Sequence, residues 1–333
     1  MELKDKLILQ LDNRYFPPRG ATLIVAVSGG VDSAVLLYVL SLLVTSQDWK
    51  LIVAHFNHQL RRSANQDAKF VGALVKSLGL KFVSDTVNVA KFAKSHKLTI
   101  EEAGRSARYA WLQKIAKRYR AGAIVLGHTA DDQVETVVMN WLRGGLVRAL
   151  AGMRIKEGNL WRPFLQIYKT ELKQFAKRYR IQFREDKSNR NLIYTRNLIR
   201  HRILPILKKV NPGIEGVILR NADNFSNLES WIENQVQETY KKVSGRPKIG
   251  TVNFSAKRFK ELDRFLQNEL FLLAIQKLKG DRQDIKKVHL DEMQAVLHSA
   301  QSTAWKQLPA KLFVYRGYGK ISVSCHRPKF VNK

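Results

Sequence analysis

Residues Ala21 to Val27 form an apolar run rich in β-branched residues, and Ser28 and two glycines follow at once. Such a run, bounded by turn residues, predicts a strand buried on both faces. Asp32 to Val44 is apolar nearly all round and predicts a buried helix. Lys50 to Phe56 predicts a second strand, Gln66 to Leu78 a helix, and Leu80 to Val87 a third strand. Glu101 to Arg120 predicts a long amphipathic helix. Ala123 to Leu126 then predicts a fourth strand and Asp131 to Leu142 another helix. Strands alternating with helices predict a doubly wound α/β domain, a parallel sheet covered on both faces. Right-handed crossovers bring the strand ends to one edge, and ligands bind beyond the carboxyl ends of the strands. Ser28 to Gly30 and Gly127 to Asp132 follow strands directly, so both are expected at that edge.

The pattern changes after about residue 205. Pro205 and Asn211-Pro212-Gly213 punctuate the chain. Helical periodicity then covers Gly216 to Tyr240, Ala256 to Leu278 and Lys286 to His298. Ala304 to Cys325 alternates apolar and polar residues around Arg316-Gly317-Tyr318-Gly319, a hairpin signal. The expected division is a catalytic domain over 1–210 and a mainly helical domain over 211–333 that ends in a small hairpin.

Charge changes the picture more than size does. The 333 residues include 58 Lys plus Arg against 28 Asp plus Glu, a net charge of +30. Such an excess is the electrostatic footprint of a nucleic-acid binder. Lys173 to Arg202 is especially basic, with Arg196, Arg200 and His201 at helical spacing. Cys325 is the only cysteine, which excludes an internal disulfide, a CxxC redox pair and a cysteine-held iron–sulfur cluster. The uncharged stretch between Asp32 and Asp48 falls short of the roughly 20 apolar residues of a membrane span. Met1 to Lys6 does not read as a secretory signal. The expectation is no membrane association and a cytoplasmic location, or the stroma for an organelle-encoded chain.

Two segments carry chemistry. Ser28-Gly29-Gly30-Val31-Asp32-Ser33, between a strand and a helix, offers backbone N–H groups and two hydroxyls to a phosphate. It is not a Walker A loop, since GxxxxGK[ST] is absent. Gly127-His128-Thr129-Ala130-Asp131-Asp132-Gln133-Val134-Glu135-Thr136 crowds three carboxylates into about one helical turn. Asp131, Asp132 and Glu135 there suit either Mg²⁺ or a cationic amine, and His128 stands beside them.

Ser28 to Ser33 after an apolar strand resembles the pyrophosphate-binding loop of the N-type ATP pyrophosphatases, the PP-loop superfamily. That resemblance implies the adenine nucleotide alpha hydrolase-like fold, with ATP bound by Ser28, Gly29, Gly30, Val31, Asp32 and Ser33. The acid-rich segment narrows it to the tRNA(Ile)-lysidine synthetase family. Further support comes from His55 to Arg61, Glu102 to Tyr109, Arg162 to Leu165, Glu185 to Asn189 and Tyr194 to His201. The family implies ATP-dependent ligation of free lysine to C2 of the wobble cytidine of tRNA(Ile) with a CAU anticodon. AMP and pyrophosphate are released. It further implies catalytic roles for Asp132, Asp131, Glu135, Arg105, Arg108 and His128, with Mg²⁺ at Asp32 and Asp132. A homodimer stays open. One departure stands out: Leu146 and Ala149 replace two glycines of the family pattern RGxGxxGLxGM. The alternatives are another tRNA-modifying enzyme of the superfamily or a non-catalytic tRNA-binding protein. A thiolase is disfavoured by the lone cysteine.

Overall fold

The computed structural model describes residues 7–8, 10–11, 13–59, 64–184, 195–245, 248–282 and 284–328. Leu60, Arg61, Glu185 to Asn189 and Tyr194, all singled out in the sequence, lie outside the described residues. Contacts divide the chain into Met1–Asn227 and Leu228–Lys333. The division falls within the Ile214–Val243 helix, beyond the break at Asn211 to Gly213.

The first unit is built on a six-stranded sheet. Its strands are β1 (Thr22–Ala26), β2 (Lys50–Asn57), β3 (Lys81–Thr86), β4 (Ala123–Val125), β5 (Lys156–Glu157) and β6 (Leu160–Trp161). The spatial order is β3-β2-β1-β4-β6-β5, parallel except for the β5–β6 pair. Leu23, Ile24 and Val25 are fully buried, so β1 is covered on both faces. One cover is the Val31–Gln47 helix, which packs with Leu172 and Phe175 of the Lys169–Arg178 helix in one core. Trp49, Trp161 and Phe16 close that layer, with ring centroids 5.4–5.7 Å apart. The other cover is the Ile100–Arg118 helix, whose Ala107, Trp111, Leu112 and Ile115 pack on Ile24 and Ile52.

Strand order reverses between β1 and β4. That is the switch point at which a doubly wound sheet opens a crevice. The loops after these two strands carry Ser28 to Gly30 and Gly127 to Thr129, so topology brings the two motifs together.

The second unit departs from the expected hairpin. Strands β7 (Thr251–Ser255), β8 (Ala304–Leu308), β9 (Leu312–Gly317) and β10 (Lys320–Ser324) form an antiparallel sheet in the order β7-β10-β9-β8. Phe254, Val314, Ile321 and Val323 pack with Phe271, Met293 and Leu297 of its helices. The helix expected over 256–278 is two, Ala256–Lys260 and Arg264–Lys279. Asp263 breaks it: its carboxylate accepts from Phe265 N at 2.7 Å and caps the second helix. Among the described residues no helix is long and apolar enough to cross a membrane.

Candidate active site

The phosphate loop is made by backbone. Gly29 has φ +92°, and a Cβ there would stand 3.3 Å from Val71 Cγ2. Only glycine meets both conditions without strain. Ser33 Oγ donates to Gly30 O at 3.0 Å and accepts from Ser28 N at 3.2 Å. The two hydroxyls lie 3.2 Å apart. The serines therefore brace the loop. Gly30 caps the Val31–Gln47 helix without a side-chain bond, leaving its first N–H groups open to an anion. Gly127 approaches from β4: a Cβ on it would lie 3.3 Å from Asp32 C and Ser33 N.

Asp32 sits at the floor of the crevice. Its Oδ2 accepts from Lys169 Nζ at 2.9 Å, while its Oδ1 is buried with no hydrogen-bond partner. Burial raises its pKa; Lys169 opposes that rise, and Asp132 and Asp131 add to it. Lys169 also ties its backbone to the acids, donating N–H to Asp131 Oδ2 at 2.8 Å. Among the described residues no three His, Cys, Asp or Glu gather as a closed metal centre. A carboxylate oxygen with no hydrogen-bond partner suits a cation that takes its remaining ligands from phosphates and water, which is the habit of Mg²⁺.

The acids open the Ala130–Leu142 helix. Asp132 belongs to a capping box, its Oδ2 accepting from Thr129 N at 2.9 Å and Thr129 Oγ1 at 3.1 Å. Its Oδ1 faces Arg196 at 3.7 Å and Arg200 at 3.9 Å. Burial is the largest single influence and opposes its ionisation, but Arg196, His128, the Thr129 N–H and Arg200 together outweigh it and hold the carboxyl below its usual range. Glu135 is 1% exposed and receives Arg196 Nε at 2.9 Å, Arg200 Nε at 2.5 Å and Arg200 Nη2 at 3.0 Å. Burial pushes the Glu135 carboxyl up, yet two guanidiniums donate into it. The pair is ionised on that geometry.

A second set of polar atoms includes His128 and Arg108, both near Asp132. His128 Nδ1, His58 Nδ1, Arg108 Nε and Tyr109 OH are buried without a hydrogen-bond partner. Burial pushes His128 down to about 3 and His58 down to about 4. Both imidazoles are therefore neutral near pH 7. Burial also lowers Arg108, which stands near Asp132 and Arg196. Arg105 is exposed and lies over the Tyr109 ring at 5.0 Å.

One cavity of about 620 Å³ joins the loop to the acids, with Ser28, Gly29, Gly30, Asp32, Asp131 and Glu135 in its wall. Lys169, Arg184 and Arg200 supply its positive charge. Asp132, His128 and Arg108 lie outside that wall. Sequence reasoning overlooked Lys169, which meets Asp32 across 137 positions with no local signal. Arg196 and Arg200, at helical spacing in the basic segment, are both engaged by Glu135. The replaced glycines leave the loop unstrained. Leu146 has φ −94°, and Ala149 lies in the short Val147–Leu150 helix. Positive φ in this segment falls on Gly144 and Gly152, which remain glycine.

Residues 3–207 match the PP-loop domain family. The tRNA(Ile)-lysidine synthase of Clostridioides difficile is 29% identical, covering 99% of this chain and 71% of its own length. That of Thermosipho africanus is 35% identical, over 74% of this chain and 58% of the relative. That of Geobacter sulfurreducens is 32% identical, over 96% and 68%. The chain thus spans 58–71% of these relatives. A U34-tRNA thiolase from Methanococcus maripaludis shares the fold, with a TM-score of 0.56 at 18% identity over 67% of this chain and 77% of that one. A phosphate loop at the switch point, facing an acidic helix start, matches these sequence relationships: the chain belongs to the PP-loop family and, within it, to the tRNA(Ile)-lysidine synthases.

Proposed function

We propose that this protein uses ATP to join free lysine to C2 of the wobble cytidine of tRNA(Ile) bearing a CAU anticodon. The observation that carries the reading is that one cavity has both the phosphate loop and the carboxylates of Asp131 and Glu135 in its wall. In the first step the cytidine O2 attacks the α-phosphorus, and the bond to the β-phosphate oxygen breaks. The backbone of Ser28 to Gly30, the helix N-terminus and Lys169 receive the pyrophosphate charge. Such transfers depend mainly on positioning and charge neutralisation. Asp32 is the residue that would hold Mg²⁺, which when bound supplies further neutralisation of that charge.

In the second step the ε-amine of lysine attacks C2, and AMP leaves with the former O2. Lysine arrives as an ammonium and sheds a proton to become a nucleophile. Asp131 supplies the carboxylate that draws it in, while Asp132 and Glu135 are paired with Arg196 and Arg200. Asp131 lines the cavity, and only one of its oxygens accepts from Lys169 N. Asp131 is therefore the acid placed to take the proton. Neutral His128, with a buried Nδ1 lacking a partner, and Arg108 present polar groups to the base.

The test incubates the protein with ATP, labelled lysine and tRNA(Ile) bearing CAU. ATP-dependent label in the RNA is the expected result, with none when uridine replaces the wobble cytidine. Folded protein that incorporates no label sinks the reading.

A further inference from the structure

The far end of the acidic helix carries an unusual surface. Trp141 is 64% exposed, Leu142 55% and Leu146 81%. Single exposed apolar residues are normal, but three within six positions form a patch. The patch is held firmly. Gly145 N donates to Asn140 O at 2.9 Å, and Asn140 Nδ2 donates to Ala149 O at 2.7 Å. A Cβ on Gly145 would lie 2.8 Å from Asn140 O, so the turn is folded tightly onto the end of the helix. None of the three side chains belongs to a core cluster.

The surroundings are cationic. Arg143 is exposed within the patch. It also lies near Glu102, whose carboxyl is lowered chiefly by hydrogen bonds from Thr99, with Arg143 adding to the effect. Arg108, further along the same Ile100–Arg118 helix, lies near Asp132. Arg148, just past the patch, is exposed as well.

Flat apolar faces beside cations suit nucleobases, whose π-faces stack while their phosphates meet arginine. We infer that Trp141, Leu142 and Leu146 form a stacking shelf for unpaired nucleotides of the RNA substrate. This rests on the proposed reading that the acceptor is a base in an anticodon loop. A second copy of this chain is the competing occupant, and the test separates the two.

The experiment measures binding of an anticodon stem-loop RNA by fluorescence anisotropy, without ATP or lysine. Trp141→Ala is expected to weaken binding roughly tenfold, and at least threefold, while Trp141→Phe keeps most of it. Because stacking releases no counterions, Trp141→Ala leaves the slope of log K against log salt unchanged, whereas Arg143→Ala lowers it by about one. A blunt RNA duplex binds wild type and Trp141→Ala equally. A loss below threefold, or an equal loss on the duplex, overturns the shelf. So does a wild-type dimer that Trp141→Ala converts to monomer. If wild-type protein makes no lysidine, the proposed reaction falls while these binding outcomes still decide the shelf.

Discussion

The phosphate loop and the acid cluster face the same cavity but are built in opposite ways. Ser28 to Ser33 is one contiguous segment whose geometry comes from its own backbone and two mutually braced hydroxyls. The acid cluster is a tertiary object: Glu135 meets Arg196 and Arg200 across 61 and 65 positions. The first kind of site is fixed when a strand enters a helix. The second forms only when distant segments have docked. Loop changes should therefore register mainly in nucleotide handling, and changes to the cluster in stability as well as chemistry.

The largest expected effect tests the cluster side. Glu135→Ala leaves two guanidiniums facing a buried gap and should destabilise the protein by about 3–5 kcal/mol, read by urea denaturation. Unfolding unchanged from wild type would show that the arginines relax freely to solvent. On the loop side, Asp32→Asn should lower turnover roughly a hundredfold, by analogy with the loss of one preorganised charge-stabilising group. Its melting temperature should change far less than that of Glu135→Ala. Gly29→Ala comes next. Forcing an alanine to φ +92° should cost about 1–2 kcal/mol and raise the KM for ATP. A normal ATP KM would mean that the loop adapts and the comparison is overdrawn.

A smaller effect follows from the buried imidazoles. His128 and His58 titrate near 3 and 4 in the folded protein, against 6.5 when unperturbed. Between about 4 and 6.5 the unfolded chain binds protons that the folded chain refuses, so stability rises with pH across that window. It is fully present above 6.5 and lost as pH falls. Denaturant midpoints at about pH 7 and about pH 5 should differ less in His128→Asn than in wild type. The smallest effect is Leu146→Gly, a change at an exposed residue with ordinary φ that should stay within about 0.5 kcal/mol in stability.

The same contrast explains what the sequence made legible. Strands β1 to β4 and the helices Val31–Gln47, Ala64–Ser77, Ile100–Arg118 and Ala130–Leu142 follow from local periodicity, with boundaries within a few residues of those expected, whereas β5, β6 and the helices Val89–His96 and Lys169–Arg178 were not read. Strand β7, Thr-Val-Asn-Phe-Ser, is short and half polar, so periodicity did not announce it. The break at Asp263 depends on one capping carboxylate inside an otherwise helical pattern. Within the site, the loop and the three acids were readable because each is a local motif. Lys169 was not, because an ordinary lysine at a helix start gains its meaning only from Asp32 on another element. The engagement of Arg196 and Arg200 by Glu135 was hidden for the same reason.

The capping box at Thr129 and Asp132 has a further consequence. The carboxylate oxygen that accepts from Thr129 holds the first turn of the helix that also carries Glu135. A proton resting on Asp132 weakens that acceptor and loosens the turn. Local order and proton occupancy therefore titrate together, and the folded helix start favours the charged form of its own acid.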